Sequence, residues 1–355
     1  MAQMSGSVTK ITRPVPNLAL DSTANNDVKL FLGACANTTI ERALTEFSAR
    51  LCYNSVSKMG TSENFIPKVL SSGHLSVAEH ASIMLPWSLM GKLGARKIFE
   101  WNRYFDFPPG RVAGNLRCWI ELMRMGGYYP FHEVLLSVFG DIYASESFVH
   151  PTELHEWSEE AGFRVPSAEG AGPHVYLLAV NYGTFGMSKR PTTVRDKEWA
   201  RYTWMVENVS RSLTHQLVRH RGASFSQESQ RYVDFEKSAA TKQYGDFIYP
   251  PGLNFGQQDM TRYAYMQSVE HYKDLRKSGV KKEDARFVLP NGTTTRMIVS
   301  FSFNELSHFL TVRCAKDAQW EIRSLAKIML QQAAMATPHE IFSNLKEGFE
   351  IADWG

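Results

Sequence analysis

Between Val209 and Tyr232 the chain reads VSRSLTHQLVRHRGASFSQESQRY, and this stretch concentrates groups that hold ligands. It carries Arg211, His215, Gln216, Arg219, His220, Arg221, Ser224, Ser226, Gln227, Glu228, Ser229, Gln230 and Arg231, and no lysine. Guanidinium forks, amides and hydroxyls together suit a planar, anionic ligand held by directional hydrogen bonds. Two further arginines, Arg286 and Arg313, stand among apolar neighbours. Each reads in two ways. Either is a core-edge ion pair, Arg313 with Asp317 for example, because a buried charge needs a partner. Or both converge with Arg219 and Arg231 on a phosphate and a polarised carbonyl.

Other chemistries are not signalled. His215 and His220 are five residues apart, roughly 140° around a helix axis, which makes a poor metal pair. The four cysteines, Cys35, Cys52, Cys118 and Cys314, show no C-x-x-C spacing, so neither a zinc site nor a disulfide framework is expected. No G-x-G-x-x-G follows a strand, and no P-loop, H-E-x-x-H or G-x-S-x-G motif is present. With 39 basic and 36 acidic residues the net charge is only +3, which argues against a nucleic-acid binder. No apolar run reaches the length of a membrane span. The first 27 residues lack the features of a secretion signal and read as a flexible tail on a cytoplasmic protein.

The elements that would position these groups follow from pattern. Val28–Ala36 reads as a short strand. Thr38–Leu51 and Ser62–Ser72 read as helices, the second stopped by Gly73. In GHLSVAEHASIML, Ser76 and Glu79 have capping-box spacing; the alternative is a loop presenting its hydroxyl and N–H groups to a phosphate. From about 86 to 202 the chain turns rich in Trp, Tyr, Gly and Pro and reads as an insertion. Helical pieces are expected at Leu116–Arg124 and near Phe131–Phe139, and Glu153, Glu156, Glu159 and Glu160 as a solvated face. Tyr202–Val206 is a strand, and Ser210 caps a helix that Gly222 ends. A polar loop then leads into a strand YVDF. Asp259–Ser278 is an amphipathic helix with Met260, Tyr263, Met266 and Val269 on one face. Thr293–Ser302 is the clearest strand, followed by helices at Phe303–Val312 and Ala318–Ala336. Strands and helices without βαβ alternation predict an α+β fold, a mixed or antiparallel sheet flanked by helices.

Arg219-His220-Arg221, seven residues and Ser229 resemble the defining motif of the flavin-dependent thymidylate synthases. The surrounding LTHQLVRHRGASFSQESQRYV agrees with that family almost throughout. FSARLCYNS (47–55), SSGHLSVAEHA (71–81), EDARFVLPNGTTTRMIV (283–299) and LSHFLTVRCAKDAQWEIRSLA (306–326) resemble its other blocks. The resemblance covers roughly 28–85 and 203–345, in the family's order. It implies a thymidylate synthase-complementing-like fold, one domain over 28–355 interrupted by the insertion. It implies dTMP synthesis from dUMP, with 5,10-methylenetetrahydrofolate as carbon donor and NADPH reducing a tightly bound FAD. It also implies a homotetramer with shared active sites. By the same resemblance Arg219, His220 and Arg221 touch the flavin, with Ser76 of a neighbouring subunit and Glu79 close by. Gln216, Arg219, Gln227, Glu228, Ser229, Gln230, Arg231 and Arg286 bind dUMP; Gln227 stands where some relatives have Glu. Arg313 lies against the uracil ring as the catalytic group. It stabilises the anion left when N3 loses its proton, which sends electron density to C5. No protein nucleophile is needed.

Two departures stand out. Where many relatives carry Asn-x-Arg, this chain reads Ser302-Phe303-Asn304, and residues 86–202 have no counterpart in short members. Within them, Asn115-Leu116-Arg117 is itself an Asn-x-Arg. The expectation is that Asn115 and Arg117 supply flavin contacts that Asn304 and its neighbours lack, with His308 also beside the flavin. Two other readings remain: a nucleotide- or flavin-binding protein without catalysis, and an Arg-rich nucleic-acid module.

Overall fold

The computed structural model describes residues 12–14, 25–61, 63–87, 105–107, 111–124, 172–181, 200–241, 245–337 and 340–348. In chain order they form β1 (Thr12–Pro14), α1 (Asn26–Cys35), α2 (Ile40–Cys52), α3 (Phe65–Ser71), a 3₁₀ turn (Leu75–His80) and β2 (Ser82–Pro86). Next come β3 (Phe105–Asp106), β4 (Arg111–Asn115), α4 (Leu116–Arg124), β5 (His174–Asn181), β6 (Arg201–Ser210), α5 (Arg211–Leu217), β7 (Ser224–Gln227) and α6 (Phe235–Thr241). The rest is α7 (Phe255–Lys277), α8 (Lys282–Ala285), β8 (Thr294–Ser302), α9 (Phe303–Arg313), α10 (Trp320–Ala336) and α11 (Glu340–Gly348). The expected helix near 131–139 and the acidic patch at 153–160 lie outside the described residues.

The strands make two antiparallel sheets, ordered β1-β5-β6-β8-β7 and β2-β4-β3. This is the α+β class that the unalternated pattern predicts. The larger sheet is covered by α1, α2, α5, α9 and α10. Its core holds Trp204, Tyr202, Phe31, Phe47, Phe301 and Phe309, all essentially inaccessible. Each such side chain contributes about 1.5–3 kcal/mol on leaving water. The smaller sheet has its own core. Ile66, Val69, Val77, Ile83 and Leu85 from the N-terminal blocks meet Phe105, Val112, Leu116, Trp119 and Leu122. The stretch read as an insertion therefore contributes to both sheets: β5 pairs with β1 and β6, and β4 pairs with β2.

One joint occurs twice. Asn115 ends β4, pairs with Ser82 at the start of β2, and caps α4 by accepting from Cys118 N at 3.0 Å. Ser302 ends β8, pairs with Arg201 at the start of β6, and caps α9 with a capping box to Glu305. A strand ending on a short polar side chain satisfies an orphan N–H of the helix it feeds. The two joints are linked by Arg201, whose Nη2 lies 2.5 Å from Asp106 Oδ2 on β3.

Several local expectations are corrected. The expected strand at 28–36 is instead part of helix α1, Asn26–Cys35, with Ala36 as its C-cap. Asn25 accepts from Asp27 N, and Val28, Phe31 and Cys35 recur at helical spacing on the buried side. Ser76 and Glu79 make no capping box, because the segment is a 3₁₀ turn preceded by His74 without a side-chain cap. The helix after Ser210 ends at Leu217 rather than at Gly222. YVDF is not a strand; Ser224–Gln227 pairs with β8 instead, and Phe235 opens α6. In α7, Met260, Tyr263 and Met266 are 74%, 66% and 53% exposed, while Val269 packs against a small core of Phe235, Tyr272 and Ala285. Within the expected tail, Thr12–Pro14 pairs with β5.

Candidate functional site

The motif helix α5 begins where β6 ends. Its cap Ser210 accepts from Leu213 N at 3.0 Å, and Ser210 N and Oγ both donate to buried Glu321 at 2.6 and 2.5 Å. Burial pushes the Glu321 carboxyl above its usual range. The first turn of α10 thus fixes the start of α5, and a β-bulge between Val206 and Val209, with Asn208 at φ +54°, aims it off the sheet. Arg219, His220 and Arg221 follow the last turn. Arg219 and Arg221 are exposed, and His220 is half-buried.

Arg313, the last residue of α9, donates from Nε to His220 Nε2 at 3.0 Å. His220 stands edge-on to Phe309, with ring centroids 5.0 Å apart, and its ring lies 6.1 Å from that of His308. Burial first, then the charge of Arg313 and the neighbouring His308, push its pKa down to about 4. His220 is therefore neutral at pH 7, and its accepting Nε2 places the ring proton on Nδ1. Arg313 is paired with a neutral imidazole, not with Asp317. It keeps its full charge for a ligand. Asn304 and His308 are exposed, one turn apart on α9.

The second half of the stretch crosses β7 into a loop. Gln227 Nε2 donates to Thr214 and Thr295 hydroxyls, both at 3.2 Å. Ser229 N donates to Cys52 O at 3.1 Å, and Arg231 N to Ser229 Oγ at 3.2 Å. Exposed Arg231 meets Glu283 at 2.9 Å, and Arg286 Nε donates to Glu283 O at 3.0 Å. Glu283 therefore gathers Arg231 and Arg286 into one place. Glu228 differs from expectation. It is 4% exposed and turned inward, its carboxylate held by Ser238 and by Arg296 Nε at 2.9 Å. It cannot reach a ligand at the surface of the loop.

Against β7 packs the 3₁₀ turn, pinned by His80, whose two ring nitrogens each lie 2.9 Å from a serine hydroxyl, Ser226 and Ser300. Full burial lowers the His80 pKa to about 3, so it is a neutral strut. Ser76 is half-buried on the same turn. Glu79 accepts from Arg117 Nη1 at 2.7 Å, and Arg117 Nε also donates to Glu121 at 2.8 Å. Arg117 thus comes to the Ser76–Glu79 block. Asn115 is fully buried: its Oδ1 caps α4, while its Nδ2 makes no hydrogen bond. Sequence reasoning missed Arg296 and left Arg211 without a role. Arg296 hides in the strand TTTRMIV, where only its charge among apolar neighbours could have flagged it.

The family model described as thymidylate synthase complementing protein matches residues 192–339. Residues 192–339 are thus similar to this family. The match covers β6 to α10 with the whole Arg219–Arg231 stretch, Arg286 and Arg313, the elements that build the site above. A flavin-dependent thymidylate synthase of Geobacter sulfurreducens is 41% identical over 143 residues, 40% of this chain and 60% of that protein. One from Nitratidesulfovibrio vulgaris is 39% identical over 157 residues, 41% of this chain and 61% of that protein. One from Sulfurisphaera tokodaii is 38% identical over 137 residues, 39% of this chain and 51% of that protein. The chain thus spans about half to three-fifths of the length of these thymidylate synthase relatives.

The donor set fits a flavin and a nucleotide. Exposed Arg219 and Arg221 offer forks to phosphates, and Asn304 and His308 offer a second row of polar groups. Among the described residues no helix is long and apolar enough to cross a membrane, and no group of His, Cys, Asp or Glu could hold a metal ion.

Proposed function

We propose that this protein makes dTMP by reductive methylation of dUMP in the cytoplasm, with 5,10-methylenetetrahydrofolate as carbon donor and NADPH as reductant. FAD, when bound, supplies the hydride. The observation that carries the reading is the 3.0 Å bond from Arg313 to His220. It joins the Arg-His-Arg motif to an arginine at the end of α9 whose partner is a neutral imidazole.

In this reading Arg219, His220, Arg221, Asn304 and His308 bind FAD, with Arg117, Glu79 and a neighbouring subunit's copy of Ser76 adding contacts. Gln216, Arg219, Gln227, Ser229, Gln230, Arg231 and Arg286 bind dUMP, the loop residues around its phosphate. Arg313 stabilises the uracil anion that forms when N3 loses its proton, and so raises electron density at C5. Its guanidinium cannot act as the base. No thiol attacks: Cys52, Cys118 and Cys314 are buried, and burial pushes their pKa values up to about 12. The exposed apolar face of α7 supports association of several copies, a homotetramer in this proposal.

The test is dTMP formation from dUMP, methylenetetrahydrofolate, NADPH and FAD. Arg313→Ala should lower turnover by roughly 10²–10³-fold, as loss of a preorganised electrostatic donor does. Full activity in that variant would sink the assignment of Arg313. Absence of dTMP from the unaltered protein would sink the function.

A further inference from the structure

Glu228 is fixed at each of its polar groups. Its N donates to Arg296 O at 3.0 Å, its O accepts from Arg211 Nη2 at 2.9 Å, and its carboxylate takes Ser238 Oγ and Arg296 Nε. Arg296 is itself buried, with Asp27 and Asn54 on its remaining nitrogens. The residue that follows Glu228 is Ser229, tied by its N to Cys52 O. The loop Ser229–Gln230–Arg231 therefore departs from a peg, and that peg is held by two arginines from α5 and β8.

Arg211 is the unusual member. Its Nε is buried and makes no hydrogen bond. With Gln230, Glu228 and Thr294 it lines a small cavity behind the loop. A half-satisfied guanidinium costs free energy that a simple apolar residue would not. Its pKa falls to about 10, through burial first, against the pull of Glu228, and with the charge of Arg286 adding to the fall. Stability alone gives no reason for an arginine at this position. Its one polar side-chain contact, the Glu228 carbonyl, gives a reason: the fork reaches across from α5 and sets where the loop begins.

We propose that Arg211, with Arg296, is a positioning residue that holds the Ser229–Arg231 loop in the shape that grips the nucleotide phosphate. This rests on the nucleotide reading of the loop given above. Neither arginine touches the nucleotide. A misplacement of about 1 Å from a remote change can cost as much as 10²-fold at a bound group. Arg296 is the poorer one to alter, since its loss strands Glu228 and Asp27 as buried charges and endangers the fold. Arg211 can be changed to Met, which keeps the stem and removes the fork.

The experiment compares wild type and Arg211→Met by amide hydrogen exchange and by steady-state kinetics. Exchange at Ser229 and Val233, whose N–H groups are bonded to Cys52 O and Ser229 O, should speed up about tenfold while the sheet strands keep their protection. KM for dUMP should rise roughly tenfold with kcat within about threefold, and flavin absorbance should be unchanged. Arg211→Lys, which retains charge but not the fork, should resemble Met rather than wild type. Unchanged exchange in the loop, or faster exchange throughout the chain, overturns the brace. Faster loop exchange with an unchanged KM overturns its role in binding. If wild type neither binds dUMP nor forms dTMP while loop exchange still rises locally, the brace stands as a structural feature and the nucleotide reading falls.

Discussion

Arg313 Nε and His220 Nε2 lie 3.0 Å apart although 93 residues separate them in sequence. The bond requires a neutral imidazole, and the His220 ring also lies 6.1 Å from that of His308. It has a pH consequence. The pKa of His220 is lowered to about 4 and that of His80 to about 3, from an ordinary 6.5. Between pH 6.5 and about 4 the unfolded chain takes up protons at these positions and the folded chain does not. Their contribution to stability is therefore complete above pH 6.5 and declines as the pH falls. Asp27, Glu305 and Glu321, raised by burial, act in the opposite sense at the acid end. The expected result is a urea midpoint that falls from pH 6.5 to 5.0. His220 and His80 ring-proton resonances should stay fixed over that range. Movement of both resonances with a midpoint near 6.5 would remove the assignment.

Gly222 is required by a close approach. A Cβ there would lie 1.9 Å from Glu305 Oε1 and 2.5 Å from its Cδ. Glu305 is the N3 member of the α9 capping box. Gly222→Ala should drive it out of the box and cost about 1 kcal/mol in thermal or urea unfolding. A larger loss of activity than of stability is also expected, because α9 carries Asn304, His308 and Arg313.

Arg117 and Asn115 should separate in a flavin-retention assay. Arg117→Ala removes a half-buried cation held between Glu79 and Glu121 and should release FAD from the purified protein. Asn115→Ala removes the α4 cap and should cost about 1 kcal/mol of stability, with flavin content unchanged at temperatures below its lowered midpoint. Equal flavin loss in both, at equal stability, would mean that Asn115 reaches the flavin after all.

Trp204 is inaccessible, and its Nε1 donates to Gln332 Oε1 at 2.9 Å, while Gln332 Nε2 donates to Val175 O at 2.9 Å. Gln332→Leu preserves volume but leaves the indole N–H without an acceptor. The expected cost is about 1–3 kcal/mol, read as a lower urea midpoint with unaltered KM for dUMP. No change in the midpoint would show that water reaches this point of the core.

Much of the fold and part of the site could be read from the sequence, for identifiable reasons. Leu116–Arg124 emerged with its bounds intact and Phe303–Arg313 within one residue, because apolar periodicity and polar caps agree there. β6 and β8 were visible as β-branched and aromatic runs. Val28–Ala36 was misread because its apolar run is dense enough to mask the spacing of Val28, Phe31 and Cys35. Gly222 looked like a helix stop, whereas its smallness serves a contact 83 residues downstream. That kind of reason has no local signature. For the candidate site, Arg219–Arg231 could be singled out as a stretch rich in ligand-holding side-chain types. The pairing of Arg313 with His220 could not, since only the fold closes that distance. Glu228 failed for a related reason: a carboxylate beside Ser229 looks like a ligand contact until Arg296 is seen behind it.

The smaller core sets a limit on editing the chain. Val77, Ala78, Ile83 and Leu85 come from blocks before residue 86, and their apolar neighbours Phe105, Val112, Leu116 and Trp119 come from after it. Joining β2 directly to β6 would trim the protein toward the length of a compact enzyme. It would also strip one wall from a sealed oily compartment next to the His80 strut. Such a shortened chain should aggregate although it keeps every side chain of the Arg219–Arg231 stretch. The middle of this protein is thus part of its waterproofing, and a truncation screen should spare residues 105–122.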